Sequence, residues 1–151
     1  MDIQEFVKAA EPQNREFVQT VHDELTALGY KIKSESKATG LFVTYSYPKT
    51  KRSFLNLFFR KAGMKARLYP LGVNKDIVDN LPCSMEKEVE KAMPCKRLIN
   101  PSDCSPTCVK GYDFDLKGKR LQKCRFNCFE FFVTAESKPV MLKWIQSEAK
   151  Q

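Results

Sequence analysis

The sequence predicts an α+β fold: an antiparallel sheet with N-terminal helices, two short central helices, a cysteine-bearing β-hairpin and a C-terminal helix. Three observations support this class. Segments with helical periodicity lie at both ends of the 151-residue chain. Between residues 30 and 70, short stretches alternate apolar with polar residues and are joined by brief turns, as in an antiparallel meander. Further along, four cysteines flank a segment with the pattern of a hairpin.

The N-terminal region predicts two helices. Asp2 is placed to cap a short first helix, because its side chain can accept from a free backbone amide. Pro12 suits the first turn of a second helix, which runs to about Leu28 and ends before Gly29. The second helix carries an apolar stripe at helical spacing, formed by Phe17, Val18, Val21, Leu25 and Leu28.

Strand patterns follow the second helix. Residues 30–34, 41–47 and 64–69 each alternate between two faces, and short turns separate them. Residues 53–60 are apolar on both faces, which predicts a central strand covered by helices on one side. A last aromatic strand is predicted over residues 129–133.

The remaining helices are predicted from capping residues and prolines. Asn74 is expected to cap a short helix that reaches Leu81. Ser84 is expected to cap the next one, which Pro94 ends. A final helix should start near Ser137.

Two segments of the meander carry a resemblance to a known family. They are Leu-Asn-Leu-Phe-Phe at 55–59 and Lys-Ala-Arg-Leu-Tyr-Pro at 65–70, which together read as a hairpin ending in Tyr-Pro. This pattern resembles the small bacterial YdhG-like domains of unknown function. The resemblance covers about residues 13–95 and implies an α+β fold without implying an activity. The cysteine-rich segment departs from the family pattern.

Length and composition predict one domain over residues 1–151, with a cysteine-bearing subregion at about 96–134. No run of 18 apolar residues exists, so no membrane span is expected. The first residues include acidic side chains and lack the apolar stretch of a secretory signal, which predicts a cytoplasmic protein. Thiols stay reduced in that compartment, so the six cysteines point away from a disulfide framework.

The main chemical signal is two cysteine pairs, Cys104 with Cys108 and Cys124 with Cys128. Three residues separate the members of each pair, and fifteen separate the two pairs. A hairpin between the pairs would bring the four thiols together at its open end. Tetrahedral Zn²⁺ favours thiolate ligands in structural sites. The sequence therefore predicts a structural zinc site with these four cysteines as ligands.

The hairpin also gives an expected register. If residues 117–119 form its loop, Tyr112 should face Cys124 and Cys108 should face Cys128. In this arrangement nearby cations would offset the charge of four thiolates: Lys110, Lys123 and Arg125.

Other roles for the cysteines remain open. All four residues could be small buried side chains without metal, the usual state of many thiols. Cys108 and Cys128 could form a cross-strand disulfide in an oxidising setting, and four cysteines could hold an iron–sulfur cluster, although the spacing fits no common cluster motif. Cys83 and Cys95 flank a predicted helix and resemble core or boundary thiols, with replacement ligands as a second interpretation.

Catalysis finds little support in the sequence. A nucleophilic cysteine needs a neighbouring base, and the chain has a single histidine, His22. Phosphate-binding loops, dinucleotide fingerprints, nucleophile elbows and paired-carboxylate motifs are absent from the sequence. Cys124 lies between Lys123 and Arg125, whose charges favour a reactive thiolate. We therefore expect a non-enzymatic binding module, with a thiol-dependent redox protein or small-molecule enzyme as the alternative.

The charge distribution suggests a second alternative. The chain carries a net charge of +8, and residues 30–70 hold ten basic residues and one acidic residue. Lysines on edge strands often serve only to prevent aggregation. Basic residues interleaved with aromatic ones on a sheet can instead bind single-stranded nucleic acid or another anionic ligand. The aromatic residues concerned are Phe42, Tyr45, Tyr47, Phe54, Phe58 and Tyr69, interleaved with Lys49, Lys51, Arg52, Arg60, Lys65 and Arg67.

Overall fold

The computed structural model describes residues 2–108, 110–126 and 129–150 of the chain. Its helices are α1 (Ile3–Ala9), α2 (Pro12–Ala27), α3 (Lys75–Val78), α4 (Cys83–Lys91), α5 (Lys96–Ile99) and α6 (Ser137–Ala149). Its strands are β1 (Lys31–Lys37), β2 (Gly40–Ser46), β3 (Ser53–Arg60), β4 (Gly63–Leu68), β5 (Tyr112–Leu116), β6 (Lys119–Lys123) and β7 (Glu130–Phe132).

The strands form an antiparallel sheet in the order β1-β2-β3-β4-β7, and β5 pairs with β6 in a separate two-stranded sheet. This arrangement confirms the predicted α+β class and the antiparallel meander. The strand β3 lies at the centre of the large sheet, as its apolar sequence predicted. The aromatic strand β7 pairs with β4 and so extends the meander across a long connection.

One face of the large sheet holds the hydrophobic core. Val43, Leu57, Ala66 and Phe131 are consecutive cross-strand partners on this face, and all four are fully or almost fully buried. Helix α6 packs Trp144 against Phe131, with 6.2 Å between the ring centroids. Aromatic contacts of this kind add to the area that the rings bury. The helices therefore cover one face of the sheet and leave the other to its own side chains.

Two predicted helix caps are confirmed and one is wrong. The side chain of Asp2 accepts from Gln4 N at 3.4 Å. Asn74 accepts from Asp76 N at 3.0 Å and from a second amide of α3. Ser84 caps nothing, because α4 already begins at Cys83, directly after a proline whose fixed φ suits a helix start. Its hydroxyl instead donates to a carboxylate of the C-terminal region.

The predicted hairpin exists, but its predicted register is wrong by one residue. Tyr112 pairs with Lys123, not with Cys124. The cause is the turn, which contains two residues, Lys117 and Gly118, with φ values of +49° and +85°. Positive φ at both positions is typical of a type I′ turn, whose twist suits a hairpin. The other half of the predicted register involves Cys128, which lies outside the described residues.

Membrane insertion was not expected from the sequence. Within the described ranges, no helix has both the length and the apolar character needed to span a bilayer.

Candidate functional site

The hairpin β5–β6 is joined to the chain that leaves α4. Cys95 N donates to the carbonyl of Gln122 at 2.9 Å, and Cys124 N donates to the carbonyl of Met93 at 2.7 Å. These two hydrogen bonds pair residues 93–95 with the end of β6 in an antiparallel bridge. Cys95 and Cys124 consequently lie on adjacent backbone segments, although 28 residues separate them in the chain.

Lys123 stabilises the same junction, because its buried side chain joins β6 to the end of α4. Its side chain is 7% exposed, and its Nζ donates to the carbonyls of Glu90 at 2.6 Å and Ala92 at 2.9 Å. Burial is the main cause that lowers the pKa of Lys123, and the nearby charge of Lys119 adds to it. The ammonium group satisfies carbonyls at the end of α4, where a cation also complements the helix dipole.

Cys95 is buried against the segment that enters β5. A β-carbon at Gly111 would lie 2.9 Å from Cys95 Cβ and 3.0 Å from Cys95 Sγ, and it would clash with the carbonyl oxygen of Lys123. Only glycine therefore allows this close approach. Cys95 is 5% exposed, so its sulfur lies inside the junction between α4 and the hairpin.

Cys104 and Cys108 lie in the loop that precedes the hairpin. Cys104 has a φ of +69°, and its amide donates to the side chain of Asp103 at 2.8 Å. Cys108 N donates to the carbonyl of Ser105 at 3.0 Å, which closes a turn and curls the loop between the two thiols. The guanidinium of Arg97 donates to the carbonyl of Cys108 and holds this loop beside α5. Cys104 is exposed, and Cys108 is half-buried.

The thiol of Cys108 connects these parts. Loss of solvent contact is the largest cause that raises the pKa of Cys108, followed by a hydrogen bond with the thiol of Cys104. The neighbouring thiols of Cys124 and Cys95 raise it further, because they disfavour a negative charge at Cys108. Cys95, Cys104 and Cys124 therefore lie within electrostatic range of Cys108, and these four residues make up the thiol cluster.

The described part of the chain does not contain a finished metal site. Within residues 2–108, 110–126 and 129–150, no group of three or more His, Cys, Asp or Glu side chains is positioned to hold a metal ion. Of the four predicted ligands, Cys104, Cys108 and Cys124 belong to the thiol cluster, and Cys128 lies outside the described residues.

Cys95 belongs to the thiol cluster, although its sequence context predicted an ordinary core or boundary thiol. The local signal was limited to Pro94, which ends the helical pattern and extends the chain before the cysteine. Its position beside Cys124 depends on the bridge to β6, which no local pattern indicates. Cys83 differs, because it is exposed at the start of α4.

The single histidine lies in a different environment. His22 Nδ1 is 2.9 Å from the hydroxyl of Tyr45, and the two rings meet edge to face. This contact joins α2 to β2 on the helix-covered side of the sheet. It gives the histidine a structural role in that interface.

A second candidate surface is the face of the large sheet that lies opposite the helices. Glu35, Phe42, Phe58, Lys65 and Phe132 are consecutive cross-strand partners and form one row across all strands of the large sheet. The neighbouring row on this open face has the same pairing, and its members are Lys33, Thr44, Asn56, Arg67 and Glu130.

Cations lie over the aromatic rings of the open face. Phe42 and Phe58 stack with 5.2 Å between their centroids. Lys37 Nζ lies 4.9 Å from the Phe42 ring, and the Arg60 guanidinium lies 4.5 Å from the Phe58 ring. A third pair joins β4 to β7, where Lys65 Nζ lies 4.4 Å from the Phe132 ring. Such contacts are weakly stabilising and leave the charged groups near solvent.

The only acidic residue of β7 is engaged by two cations. Glu130 accepts from Arg67 at 2.6 Å and from Lys65 at 3.0 Å. Burial opposes ionisation of Glu130, but hydrogen bonds from Arg67 and Lys65 outweigh it and lower its pKa. The carboxylate therefore organises these two side chains at the end of the open face.

The aromatic residues predicted for this surface divide between the two sides of the sheet. Phe42 and Phe58 lie on the open face, where Phe42, Arg60 and Arg67 cover the ring of Phe58 and leave it 1% exposed. Tyr45, Tyr47 and Phe54 belong to the hydrophobic core and are at most 7% exposed. The sequence pattern cannot separate the two sets, because an irregularity in the pairing of β2 with β3 changes the alternation near Tyr45.

Comparison with known proteins gives no relative. No protein-family model matches the chain, no curated protein matches its sequence, and no solved structure matches it. The resemblance to YdhG-like domains accordingly stays a prediction.

Proposed function

We propose that the protein is a non-enzymatic, cytoplasmic binding module in which a structural zinc ion cross-links the cysteine segment. One observation carries the proposal: Cys95 and Cys124 lie on adjacent, hydrogen-bonded backbone segments, and the loop thiols Cys104 and Cys108 lie within electrostatic range of them. Reduced thiols gathered in this way suit Zn²⁺, which favours four sulfur ligands in structural sites. The reducing cytoplasm would keep these thiols available for metal.

Five cysteines are candidates for four ligand positions under this proposal, and two of them compete for the last position. Cys104, Cys108 and Cys124 are common to every combination. The fourth ligand is Cys128, as the sequence spacing predicts, or Cys95, which is buried beside Cys124 through the hydrogen bonds of the bridge. With either choice, the exposed loop around Cys104 closes onto the junction between α4 and the hairpin when metal binds, because the described cysteines are not yet positioned to hold an ion.

The surroundings favour a site with several thiolates. Arg97 contacts the loop at the carbonyl of Cys108, and Arg125 Nε donates to the carbonyl of Lys110 at 3.1 Å. Arg97 precedes Cys104 and Arg125 follows Cys124 in the chain, and both cations would offset the negative charge of bound thiolates. Residues 100–107 are all exposed and belong to no helix or strand, so a metal would supply the cross-link that packing does not.

Metal analysis of protein purified without a polyhistidine tag tests the proposal. We expect about one zinc per chain for the natural sequence, and a large loss of zinc in Cys104→Ser and in Cys124→Ser, because structural zinc needs its full ligand set. Cys83→Ser is the matched control, since this thiol is exposed at the start of α4 and should leave the zinc content unchanged. A value below about 0.2 zinc per chain, with all cysteines accessible to titration, would reject the proposal.

The same measurement on two further variants identifies the fourth ligand. If Cys128 completes the site, Cys128→Ser should lose zinc and Cys95→Ser should retain it. If Cys95 completes it, the result should be reversed. Equal retention in both single variants would mean that either thiol can complete the site, and retention in the double variant Cys95→Ser with Cys128→Ser would contradict a site with four cysteine ligands.

The thiol-dependent alternative requires a cysteine that is unusually reactive. The raised pKa of Cys108 opposes that role, because less of the thiol is ionised at neutral pH. A thiol probe applied to the metal-free protein separates the two functions. A cysteine that reacts faster than a free model thiol would favour the redox alternative over the binding module.

A further inference from the structure

A cavity of about 430 Å³ lies at one end of the open face, between the turn that follows β2 and the segments after β4 and β6. Its lining includes three cationic side chains, Lys51, Arg52 and Arg125, and three aromatic ones, Tyr47, Tyr69 and Phe126. Among the described residues that line it, none is acidic. This combination of charges and rings suits a ligand that is both anionic and aromatic.

Hydrogen bonds hold the walls of the cavity in place. The hydroxyl of Tyr47 donates to the carbonyl of Tyr69 at 2.8 Å. Arg125 Nη1 donates to the carbonyl of Leu71 at 3.1 Å, and its guanidinium lies 4.5 Å from the Tyr112 ring. These contacts fix Arg125 in the wall of the cavity. Phe126 is 49% exposed, so its ring is available to a ligand.

The cavity is continuous with the open face. Lys65, Arg67 and Tyr69 occupy alternate positions along β4 and its extension, so their side chains follow one another on the same side of the sheet. The combined surface has a strong positive balance, because Glu35 and Glu130 are the only acidic residues among its described members and cations pair with both. Its cations are Lys31, Lys33, Lys37, Lys51, Arg52, Arg60, Lys65, Arg67 and Arg125.

We propose that this surface binds single-stranded nucleic acid, with phosphates along the open face and one base in the cavity against Phe126 and Tyr69. The positive surface attracts the phosphodiester backbone, and the exposed ring needs an unpaired base on which to stack. A duplex keeps its bases stacked inside and cannot offer one. The inference stands independently of the zinc proposal, because it rests on the sheet and the cavity.

The test is binding of a fluorescent 20-nucleotide oligothymidine, measured by anisotropy at several salt concentrations. The natural protein should bind, with an affinity that falls steeply as salt increases. Lys51→Asn with Arg52→Gln should weaken binding about tenfold or more at low salt and reduce the slope of the logarithmic salt dependence by about 1.4, the value for two lost phosphate contacts. Asparagine suits position 51, where φ is +61°.

A second variant isolates the base contact. Phe126→Leu keeps an apolar side chain but removes the ring, so we expect binding to weaken about 5- to 100-fold while the salt slope stays the same. An unchanged affinity would show that no base stacks on this ring.

One control variant removes charge elsewhere on the protein, and two other polyanions serve as control ligands. The control variant Lys8→Gln with Lys87→Gln also removes two positive charges, but from exposed positions on α1 and α4. It should leave the affinity for the oligonucleotide nearly unchanged. Urea unfolding of every variant confirms that each remains folded. The proposal is overturned by absent binding at low salt, by equal weakening in the control pair, or by equally tight binding of duplex DNA or heparin, which would indicate a general polyanion surface.

Discussion

Lys123 illustrates how one residue can have a role that its sequence context does not indicate. The sequence placed it beside Cys124, where its charge would offset thiolates. In the structure it is buried, and its ammonium group binds the carbonyls of Glu90 and Ala92 at the end of α4. A long aliphatic stem allows lysine to pass through an apolar region and still satisfy polar groups. The residue therefore anchors the hairpin, and the charges near the thiols come from other side chains.

Glu130 gives a prediction, also for a single residue, about how the stability of the fold depends on pH. Its folded pKa lies below the ordinary value of 4.5, so its ion pairs stabilise the fold fully above that value and are lost as the pH falls through the folded pKa. We expect Glu130→Gln to lower the free energy of unfolding at pH 7 by about 1–2 kcal/mol. The difference between the two proteins should shrink as the solution becomes more acidic.

Urea unfolding between neutral and acidic pH checks this expectation. Glu35→Gln is the control, because Glu35 also pairs with two lysines on the open face but is more exposed, and it should have a much smaller effect. If the loss of unfolding free energy caused by Glu130→Gln does not vary with pH, the stabilising role of the Glu130 charge is contradicted.

At the scale of elements, the hairpin shows what a local pattern can and cannot predict. Its existence follows from alternating residues on either side of a glycine-containing turn. Its register does not follow, because a loop of two residues and one of three give different pairings. Positive φ at both Lys117 and Gly118 selects the two-residue turn. The position of Cys95 beside β6 depends on a bridge between distant segments, which sequence periodicity does not encode.

The junction between α4 and the hairpin gives an element-scale prediction. Gly111→Ala should lower the free energy of unfolding by about 1–3 kcal/mol, because the new methyl group meets backbone at Lys123 and the side chain of Cys95. Gly72→Ala is the matched control, since nothing lies within 4 Å of the added carbon there and the change should stay within about 0.5 kcal/mol. Denaturant unfolding measures both. Similar effects at the two glycines would contradict the close packing inferred at the junction.

At the scale of the whole molecule, the chain combines a sheet with one covered face and a cysteine segment attached at its end. The fold class and the antiparallel meander of β1 to β4 could be predicted, because alternation within each strand and helical spacing in α2 are local properties. The pairing of β7 with β4 could not, because a long connection separates the two strands in the chain. The division of aromatic residues between core and open face could not, because it depends on the irregular pairing near Tyr45. Cys104 and Cys108 lie in one loop, as the spacing of the pair suggests, whereas the position of Cys95 beside Cys124 depends on tertiary contacts.

The two proposals concern different parts of the molecule. The cysteine segment supplies a cross-link for a loop with little packing of its own, while the open face and its cavity supply a binding surface. Arg125 and Phe126 follow Cys124 directly and line the cavity. A metal at the cysteine cluster would therefore also help to fix one wall of the binding surface.

The zinc site is the central claim, and X-ray absorption at the zinc edge tests it most directly. The expected spectrum of the zinc-bound protein shows four sulfur neighbours at about 2.3 Å, the distance typical of thiolate ligands. Cys83→Ser should give the same spectrum, because this thiol lies apart from the cluster at the start of α4. A first shell of nitrogen or oxygen at about 2.0–2.1 Å, or a protein that retains no zinc, would contradict the claim.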